Sequence, residues 1–455
     1  MRLDELQKAV ASGAIDTVVV GFTDHYGRLM GKRFDADFFL EDCVEAGTHA
    51  CDYLLTVDMD MEPVEGYAST NWQRGYGDFH LVPDLSTLRR AGWSDGVALV
   101  IADAVDEGDH TPVQAAPRSI LARQVADLRT EGLSSAAASE LEFFLYRTDY
   151  RTANEADYRD LTSAGWYVED YHLLQAARVD DYVGAARRAL RASEIPVENS
   201  KGEAAIGQHE LNIAYCDVAE MADRHAIMKQ ALKELADAQG CSVTFMAKPD
   251  AEQPGSSCHL HLSLWHSDAT SDSATTTSNA FWDDGPSDLF RWFLGGWMQH
   301  LPSFMPFYAP TINSYKRYRP RSWAPSALAW SHDNRTCAFR TVGSGQSFRI
   351  ECRVPGADVN PYLAYAAALA SGLDGIRNRV EPPSEYRGDA YADPSLDRVP
   401  TSLGDAVDRF RASADTRRLL GDEVVDHYAH HFEEEVAAYS RSVTDWELRR
   451  YFERI

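Results

Sequence analysis

The sequence has little positive charge and no long apolar run, and each shortage excludes a class of protein. Its 455 residues carry 44 basic and 70 acidic side chains, a formal net charge of −26. Nucleic acids are bound by basic surfaces, so we expect no nucleic-acid partner. No apolar run approaches the ~20 residues of a membrane span, and the N-terminus lacks the apolar region of a signal peptide. We therefore expect a cytoplasmic protein with no membrane partner.

Paired cysteine motifs are also missing. The seven cysteines are scattered, odd in number and never spaced as CxxC, which excludes a disulfide framework and a zinc finger. We expect buried, reduced thiols. With 44% hydrophobic residues the chain has ample material for a packed interior, and its length suggests two domains.

The pattern of apolar residues divides the chain near residue 112. The first part, 1–112, is rich in predicted strands, whereas long helices and strands alternate in 113–455. Pro117 is placed where a helix would begin, and that helix is expected to end at Gly132. Other predicted elements of the second part are strands at 138–146, 243–249 and 258–265, helices at 179–194, 221–240 and 360–376, and a polar loop at 266–279.

Three predicted strands carry polar side chains at every second position, and these share a face because strand side chains alternate. The residues are Glu140 and Glu142, His259 and His261, and Arg349, Glu351 and Arg353; a fourth segment adds Glu203 and Glu210. Taken singly, each pattern is typical of a solvated face or a surface ion pair. Together they supply what a divalent-metal site for phosphoryl transfer needs, with carboxylates for the ions and arginines for the phosphate.

Eight segments, in order, resemble the glutamine synthetase family. They are SELEFFLY, VENSKGEAAIGQHE, TFMAKP, PGSSCHLHLSL, NSYKR, HDNRTCAFR, SFRIECRVPG and NPYLAYAAALASGLDGI. The resemblance implies an α+β fold, with an N-terminal β-grasp domain (1–112) and a catalytic domain (113–455) built on an antiparallel sheet with flanking helices. It also implies ATP, two or more Mg²⁺ or Mn²⁺ ions, and a homo-oligomeric ring, usually a dodecamer, with active sites at subunit boundaries.

The resemblance also implies roles for individual residues. One metal site falls on Glu142, Glu203 and Glu210, and the second on Glu140, His259 and Glu351. The ATP positions are Glu198, Tyr215, His261, Ser263, Arg340 and Arg349. Arg317, Arg335 and Arg353 match positions that hold glutamate or the phosphoryl group in transit, and Gly255, Trp323 and Tyr171 belong to the substrate pocket and its flap.

The sequence departs from ammonium-using members of the family at two places. The region that carries their Asp-Gly-Ser-Ser loop reads ACDYLLTVDMDMEPVEGY, and the flap reads RPRSWAP, with Trp323 in place of a glutamate. An indole suits an amine with a carbon chain, because it packs on methylenes or offers a cation–π face. The alternative is that Trp323 only shields the intermediate from water. We assign Asp58 as the amine-side acid or base.

Two further positions differ from the family pattern. A family lysine near the ATP phosphates aligns with Gln346, and the glutamate-binding loop reads Pro254-Gly255-Ser256-Ser257. The leading hypothesis is a ligase that joins the γ-carboxylate of glutamate to a small organic amine through γ-glutamyl phosphate. The C-terminal TDWELRRYFER and the segment YLLTVD most resemble the γ-glutamylethanolamide synthetases. Glutamine synthetase with ammonium, γ-glutamylpolyamine synthetase and a catalytically silent homologue remain alternatives.

Overall fold

Two β-sheets organise residues 1–267 and 276–455, the part of the chain that the computed structural model describes. The first sheet follows the order β2-β1-β6-β4-β3, with β5 beside β6. The β1–β6 pair is parallel and the other pairs are antiparallel. Its strands are β1 (Thr17–Thr23), β2 (Leu29–Asp35), β3 (Thr48–Cys51), β4 (Asp78–Pro83), β5 (Arg89–Arg90) and β6 (Val97–Asp106).

The second sheet follows the order β14-β15-β16-β12-β7-β9-β8, with β10 and β11 beside β7 and β13 beside β12. Only the β14–β15 pair is parallel among the described strands of this sheet. The strands are β7 (Leu133–Tyr146), β8 (Val197–Gly202), β9 (Gln208–Ile213), β10 (Cys216–Asp217), β11 (Ser242–Thr244), β12 (Cys258–Ser267), β13 (Thr276–Asn279), β14 (Trp330–His332), β15 (Phe339–Val342) and β16 (Arg349–Cys352).

Helices flank both sheets, so the predicted α+β class is confirmed. They are α1 (Leu3–Ala11), α2 (Ala36–Phe38), α3 (Val44–Ala46), α4 (Pro117–Thr130), α5 (Tyr150–Glu155), α6 (Leu173–Arg178), α7 (Asp180–Ala192), α8 (Val218–Ala238), α9 (Asp288–His300), α10 (Met305–Tyr308), α11 (Pro361–Asn378), α12 (Leu403–Ala412), α13 (Ala414–Leu420), α14 (Asp422–Arg441) and α15 (Asp445–Tyr451). Helix α4 begins at Pro117, whose missing N–H costs nothing in the first turn.

Strand β6 joins two apolar cores. Its side chains alternate, so Ala98 and Val100 pack into the core of the first sheet, whereas Leu99 and Ile101 pack into the larger core of the second. This strand therefore fixes one sheet against the other. The predicted boundary at residue 112 falls in the segment between β6 and α4, and the division into two domains stays a prediction.

Two predicted elements differ from the structure. The strand expected over 243–249 ends at Thr244, because the Met246 N–H then donates to Thr244 Oγ1 and the Lys248 N–H to Asn313 Oδ1, not to a strand. The polar loop expected over 266–279 is strand at both ends, in β12 and β13. The rest of that prediction, 268–275, lies outside the described residues.

The cysteine prediction holds in its main point. All seven cysteines are free thiols; five are buried, while Cys51 and Cys216 are partly exposed. Within residues 1–267 and 276–455, every helix is too short or too polar to cross a bilayer.

Candidate active site

The register of the second sheet brings the predicted acids and imidazoles together. Across β7, β12 and β16, His259 pairs with Glu140 and His261 pairs with Glu351. On the other side of β7, Glu142 pairs with Glu210 of β9. Directly opposed side chains on one face lie about 5 Å apart, so segments distant in sequence converge on one polar face. This face forms the floor of a cavity of about 840 Å³.

The first acidic cluster is Glu142, Glu203 and Glu210, the set predicted for one metal site. One carboxylate oxygen from each lies within 4.8 Å of the others. The Lys201 ammonium forms ion pairs with Glu203 and, at 3.6 Å, with Glu210. Glu142 Oε2 accepts hydrogen bonds from the Ser257 N–H at 2.8 Å and from Gln208 Nε2 at 3.1 Å.

The second cluster contains Glu140, Glu351 and two imidazoles. Glu140 Oε2 lies 3.0 Å from His259 Nδ1, and Glu140 Oε1 lies 2.9 Å from His261 Nε2. His259 Nδ1 is also 3.5 Å from Glu351 Oε1. The set predicted from the sequence contained His259 alone; in the structure, a ring nitrogen of His261 also lies within 4.8 Å of oxygens of both carboxylates.

Glu351 is fully buried between two arginines. Arg340 Nη1 donates to Glu351 Oε2 at 2.7 Å, and Arg353 Nη1 forms a hydrogen bond with Glu351 Oε1. Arg340 also binds the exposed Asp333, with Nη2 2.5 Å from Oδ1. Arg335, Arg340 and Arg353 line the same cavity as the carboxylates.

The electrostatics of the floor differ from one carboxylate to the next. Burial and the neighbouring Glu210 raise the pKa of Glu142 to about 8. Burial opposes ionisation of Glu140 and Glu351 as well. The two imidazoles nevertheless lower the pKa of Glu140, and Arg353 with the imidazoles lowers that of Glu351 to about 2. Burial, with Arg353, lowers the pKa of His259. On this floor Glu142 and Glu210 repel each other, whereas the imidazoles and Arg353 keep the neighbouring Glu140 and Glu351 ionised.

The donor atoms of the floor fit divalent cations. Glu142 and Glu210 are buried at one register position, and a cation between them would relieve their repulsion. His259 donates through Nδ1 to Glu140 when neutral, which leaves a buried Nε2 with no hydrogen-bond partner in the part of the chain that the structure describes. Carboxylate oxygens with one imidazole nitrogen are donors that Mg²⁺ and Mn²⁺ accept.

A second cavity, of about 540 Å³, adjoins the first and shares Glu140, Asn199 and Asn212 with it. It contains five of the six positions predicted for ATP: Glu198, Tyr215, His261, Ser263 and Arg349. Arg349 Nε donates to His261 Nδ1 at 3.1 Å, and Trp265 Nε1 donates to Ser263 Oγ at 3.0 Å. The sixth, Arg340, lines the first cavity with the carboxylates instead.

Two aromatic residues stand at the rim of the larger cavity. Trp323 and Tyr171 are 57% and 68% exposed, and both adopt a left-handed backbone conformation, with φ of 63° and 68°. This conformation is strained for a bulky side chain and is frequent at functional sites. The Lys201 ammonium lies 4.7 Å from the centre of the Tyr171 ring.

Arg317 and Gly255 form part of the cavity wall. Gly255 lines the cavity, and a Cβ added there would lie 2.3 Å from the Ala247 carbonyl oxygen. Arg317, which is 1% exposed, stands behind it. Its guanidinium donates to Ser257 Oγ at 2.6 Å and to the Val354 carbonyl at 3.0 Å. Arg317 thus supports the wall, and its predicted role in holding glutamate or the phosphoryl group stays a prediction.

Asp58, like Arg317, is a predicted residue that does not line this cavity. It is absent from the residues lining either cavity. It accepts hydrogen bonds from the N–H groups of Asp60 and Glu62, and its charge helps raise the pKa of Glu435 on α14, after burial. Its assignment to the amine side stays a prediction.

Three polar residues of the floor were missed from the sequence. Gln208 Nε2 binds both Glu142 and the Gly255 carbonyl, and Asn212 Nδ2 binds Glu210 Oε1 at 2.9 Å. Gln208 and Asn212 lie two positions before and two positions after Glu210 on β9. The same alternation that pointed to the acidic residues could therefore have pointed to these two. The third, Lys201, is opposite Glu210 in the register of β8 and β9, which the sequence does not specify.

Comparison with known proteins finds similar chains over nearly the whole length of this one. Residues 114–451 match the family model described as "Glutamine synthetase, catalytic domain". The chain is 47% identical over 453 residues to the gamma-glutamylethanolamide synthetase GlnA4 of Streptomyces coelicolor, covering 100% of this chain and 96% of that one. It is 35% identical to a glutamate–isopropylamine ligase of a Pseudomonas species, covering 97% and 96% of the two chains.

Solved structures are similar over the same extent. A structure described as a GmaS/ADP complex superposes with a TM-score of 0.85 at 28% identity, covering 98% of this chain and 99% of that one. The apo form of GmaS gives a TM-score of 0.84 at the same identity and coverage.

Proposed function

Because the chain belongs to the glutamine synthetase family, we propose that it is an ATP-dependent ligase that joins the γ-carboxylate of glutamate to a small organic amine. One observation carries the proposal: an exposed tryptophan, Trp323, stands at the rim of the cavity whose floor holds the acidic clusters. The relatives support the same class, since one makes a γ-glutamylethanolamide and another joins glutamate to isopropylamine.

The proposed reaction has two steps. The γ-carboxylate of glutamate attacks the terminal phosphorus of ATP, which gives γ-glutamyl phosphate and ADP. The amine nitrogen then attacks the acyl carbon, phosphate leaves, and the amine loses a proton. Glu142, Glu203 and Glu210 would hold one divalent ion, and Glu140, His259 and Glu351 a second; bound there, such ions would supply charge stabilisation for phosphoryl transfer.

The arginines divide into two roles in this proposal. Arg335 is exposed in the cavity, so its guanidinium is free to approach the transferring phosphoryl group. Arg353 and Arg340 hold the buried Glu351 ionised and oriented. Arg317 acts through Ser257 and the Val354 carbonyl to fix the loop that contains Gly255.

The smaller cavity is the proposed nucleotide site. The exposed Tyr215 ring offers a stacking surface for adenine, and Arg349, oriented by its bond to His261, offers a cation to the phosphates. The shared lining by Glu140, Asn199 and Asn212 supports a nucleotide bound beside the proposed metal sites.

Amine selectivity is assigned to the rim. Ammonium is a compact cation that needs anionic neighbours, whereas Trp323 and Tyr171 present aromatic faces suited to a cation with methylenes. Ethanolamine is the preferred candidate, in line with the ethanolamide-forming relative. We propose further that Asp58 serves the site of a neighbouring copy in a homo-oligomeric ring, since it is remote from the cavity of its own chain.

A phosphate-release assay with ATP, glutamate and a panel of amines tests the proposal. Ethanolamine, isopropylamine, putrescine and ammonium should be compared at equal concentration, and products identified by mass. We expect the largest kcat/KM for a short monoamine. Turnover on ammonium alone would instead identify a glutamine synthetase, and preference for putrescine a polyamine ligase.

A silent homologue would show no turnover with any amine. Calorimetric titration with ADP in the presence of Mg²⁺ separates that outcome from a missing substrate: metal-dependent nucleotide binding without turnover leaves the amine unidentified, while absence of binding contradicts the ligase proposal.

A further inference from the structure

We propose that His49, His80, His110 and Glu107 form a separate site for a divalent transition-metal ion, of which Zn²⁺ is the best match, on the first sheet. One ring nitrogen each from His49 and His80 and one Glu107 oxygen lie within 4.8 Å of one another. His110 Nδ1 lies 3.3 Å from His80 Nδ1. The site is independent of the proposed ligase reaction.

Strand pairing sets the first two imidazoles side by side. His49 of β3 is directly opposite His80 of β4 in the antiparallel register. Their rings stack with centroids 4.9 Å apart and an interplanar angle of 17°. His49 Nε2 also lies 3.0 Å from Glu107 Oε2. Two nitrogens and a carboxylate therefore meet at the outer strands of the sheet.

The tautomer of His80 is fixed in the manner of metal-binding histidines. Its Nε2 lies 2.7 Å from the Ala46 carbonyl oxygen, which can only accept, so Nε2 carries the proton and Nδ1 keeps its lone pair. A backbone carbonyl bound to the second ring nitrogen is the usual partner that orients an imidazole ligand. That lone pair points toward His110, whose Nδ1–H donates to it. A metal ion would take the place of this proton, which moves to Nε2 of the exposed His110, so that His110 binds the ion through Nδ1 as a neutral imidazole.

The turn after β6 holds the other two ligands. The Asp106 N–H donates to the Thr111 carbonyl at 2.8 Å, and the His110 N–H donates to the Asp106 carbonyl at 3.1 Å. The Asp106 side chain binds the Gly108 N–H at 2.8 Å. These bonds fix His110 in a left-handed conformation with φ of 58°. Glu107 and His110 are thus preorganised beside β4, which reduces the ordering cost of binding.

The donor atoms of the histidine site favour a different ion from the one that the active-site floor favours. Three imidazole nitrogens and one carboxylate match tetrahedral Zn²⁺, whereas Mg²⁺ prefers oxygen ligands. All four residues are partly or fully exposed, so an ion reaches them without opening the fold. A bound ion would tie β3, β4 and the turn after β6 together, and would stabilise the first sheet by mass action.

Equilibrium dialysis against Zn²⁺, with Mg²⁺ in excess to occupy the oxygen-rich floor, tests the site on the full-length protein. We expect His49→Ala/His80→Ala to bind one Zn²⁺ fewer per chain than the wild type. The single variant His110→Ala should weaken that ion about tenfold. Exposed His332→Ala is the matched control and should bind as the wild type does.

Two further readings strengthen the test. Co²⁺ in place of Zn²⁺ should give the intense visible bands of a tetrahedral site in the wild type and lose them in His80→Ala. Saturating Zn²⁺ should raise the Tm of the wild type but not of the double variant. Equal Zn²⁺ stoichiometry and affinity in the wild type, the double variant and His110→Ala would overturn the proposal, whether or not the protein proves to be a ligase.

Discussion

The floor and the rim of the larger cavity are built in opposite ways. The floor is made of buried side chains on paired strands, such as Glu351 and Glu142, which are 0% and 7% exposed. The rim is made of loops, whose Trp323 and Tyr171 are more than half exposed. Strand pairing holds the floor rigidly for the step that all members of the family share, whereas loops can change selectivity without rebuilding the sheet. In the proposed ligase, the reaction class and the choice of amine would therefore be set by separate parts of the chain.

The largest effect is expected from the floor. Glu351→Gln removes a buried charge that sits between Arg340 and Arg353 at nearly constant volume. We expect kcat for phosphate release to fall about 100-fold or more, because the charge at the second proposed metal site changes. Circular dichroism should show an intact fold, and the exposed Glu41→Gln serves as control. Near-normal turnover would remove Glu351 from the site.

A substitution at the rim should change the selectivity between amines and ammonium more than it changes the maximal rate. Trp323→Glu restores an anionic group where ammonium-using relatives have one. We expect kcat/KM for the preferred amine to fall about fivefold, in line with the loss of a cation–π contact of about 1 kcal/mol, while ammonium use rises. Trp323→Phe should keep most of the amine preference. An unchanged ratio of amine to ammonium activity in Trp323→Glu would show that another part of the molecule sets the selectivity.

A mixing experiment asks whether the rim is completed by a second copy. Asp58→Asn should lower amine turnover several-fold if its carboxylate takes the amine proton. Coexpression of Asp58→Asn with Glu351→Gln should recover part of the activity, because some sites would then combine two intact halves. No recovery, with Asp58→Asn alone already impaired, would assign Asp58 to the structure of its own chain beside α14.

The smallest effect on turnover is expected from Glu169, a buried residue two positions before Tyr171 of the rim. Burial raises the pKa of Glu169 to about 7, and neither carboxylate oxygen has a hydrogen-bond partner within residues 1–267 and 276–455. The folded state therefore favours the protonated acid, so this stabilisation is present below pH 4.5 and is lost as the pH rises through about 7. Glu169→Gln should raise the free energy of unfolding at pH 8 by about 2 kcal/mol and leave it nearly unchanged at pH 4.

The neighbouring His209 sharpens this measurement. Burial lowers the pKa of His209 to about 4, so its contribution to stability rises with pH up to about 6.5 and opposes that of Glu169. Urea denaturation between pH 6.5 and 8 isolates the Glu169 effect, with Glu41→Gln as the control. A decline of wild-type stability that persists in Glu169→Gln would contradict the assignment.

Prediction from the sequence succeeded where a local pattern has a single structural meaning. The period-two spacing of Glu140 and Glu142, and of His259 and His261, gave the right strands and the right shared face. It failed at 245–249, where an apolar run leaves the sheet because its N–H groups bind side chains. Contacts made by a side chain from another segment, such as Asn313, are invisible to a local pattern.

The α+β class, the family and the alternation of residue types on the strands of the second sheet could be read from the amino-acid order, because they follow from local spacing and motif order. Four contacts became known from the fold: His261 reaches Glu140, Lys201 enters the acidic cluster, Arg317 stands behind the wall, and His49 meets His80. The physical reason is that strand register and loop position depend on contacts between segments far apart in the chain, and these are set when the cores pack.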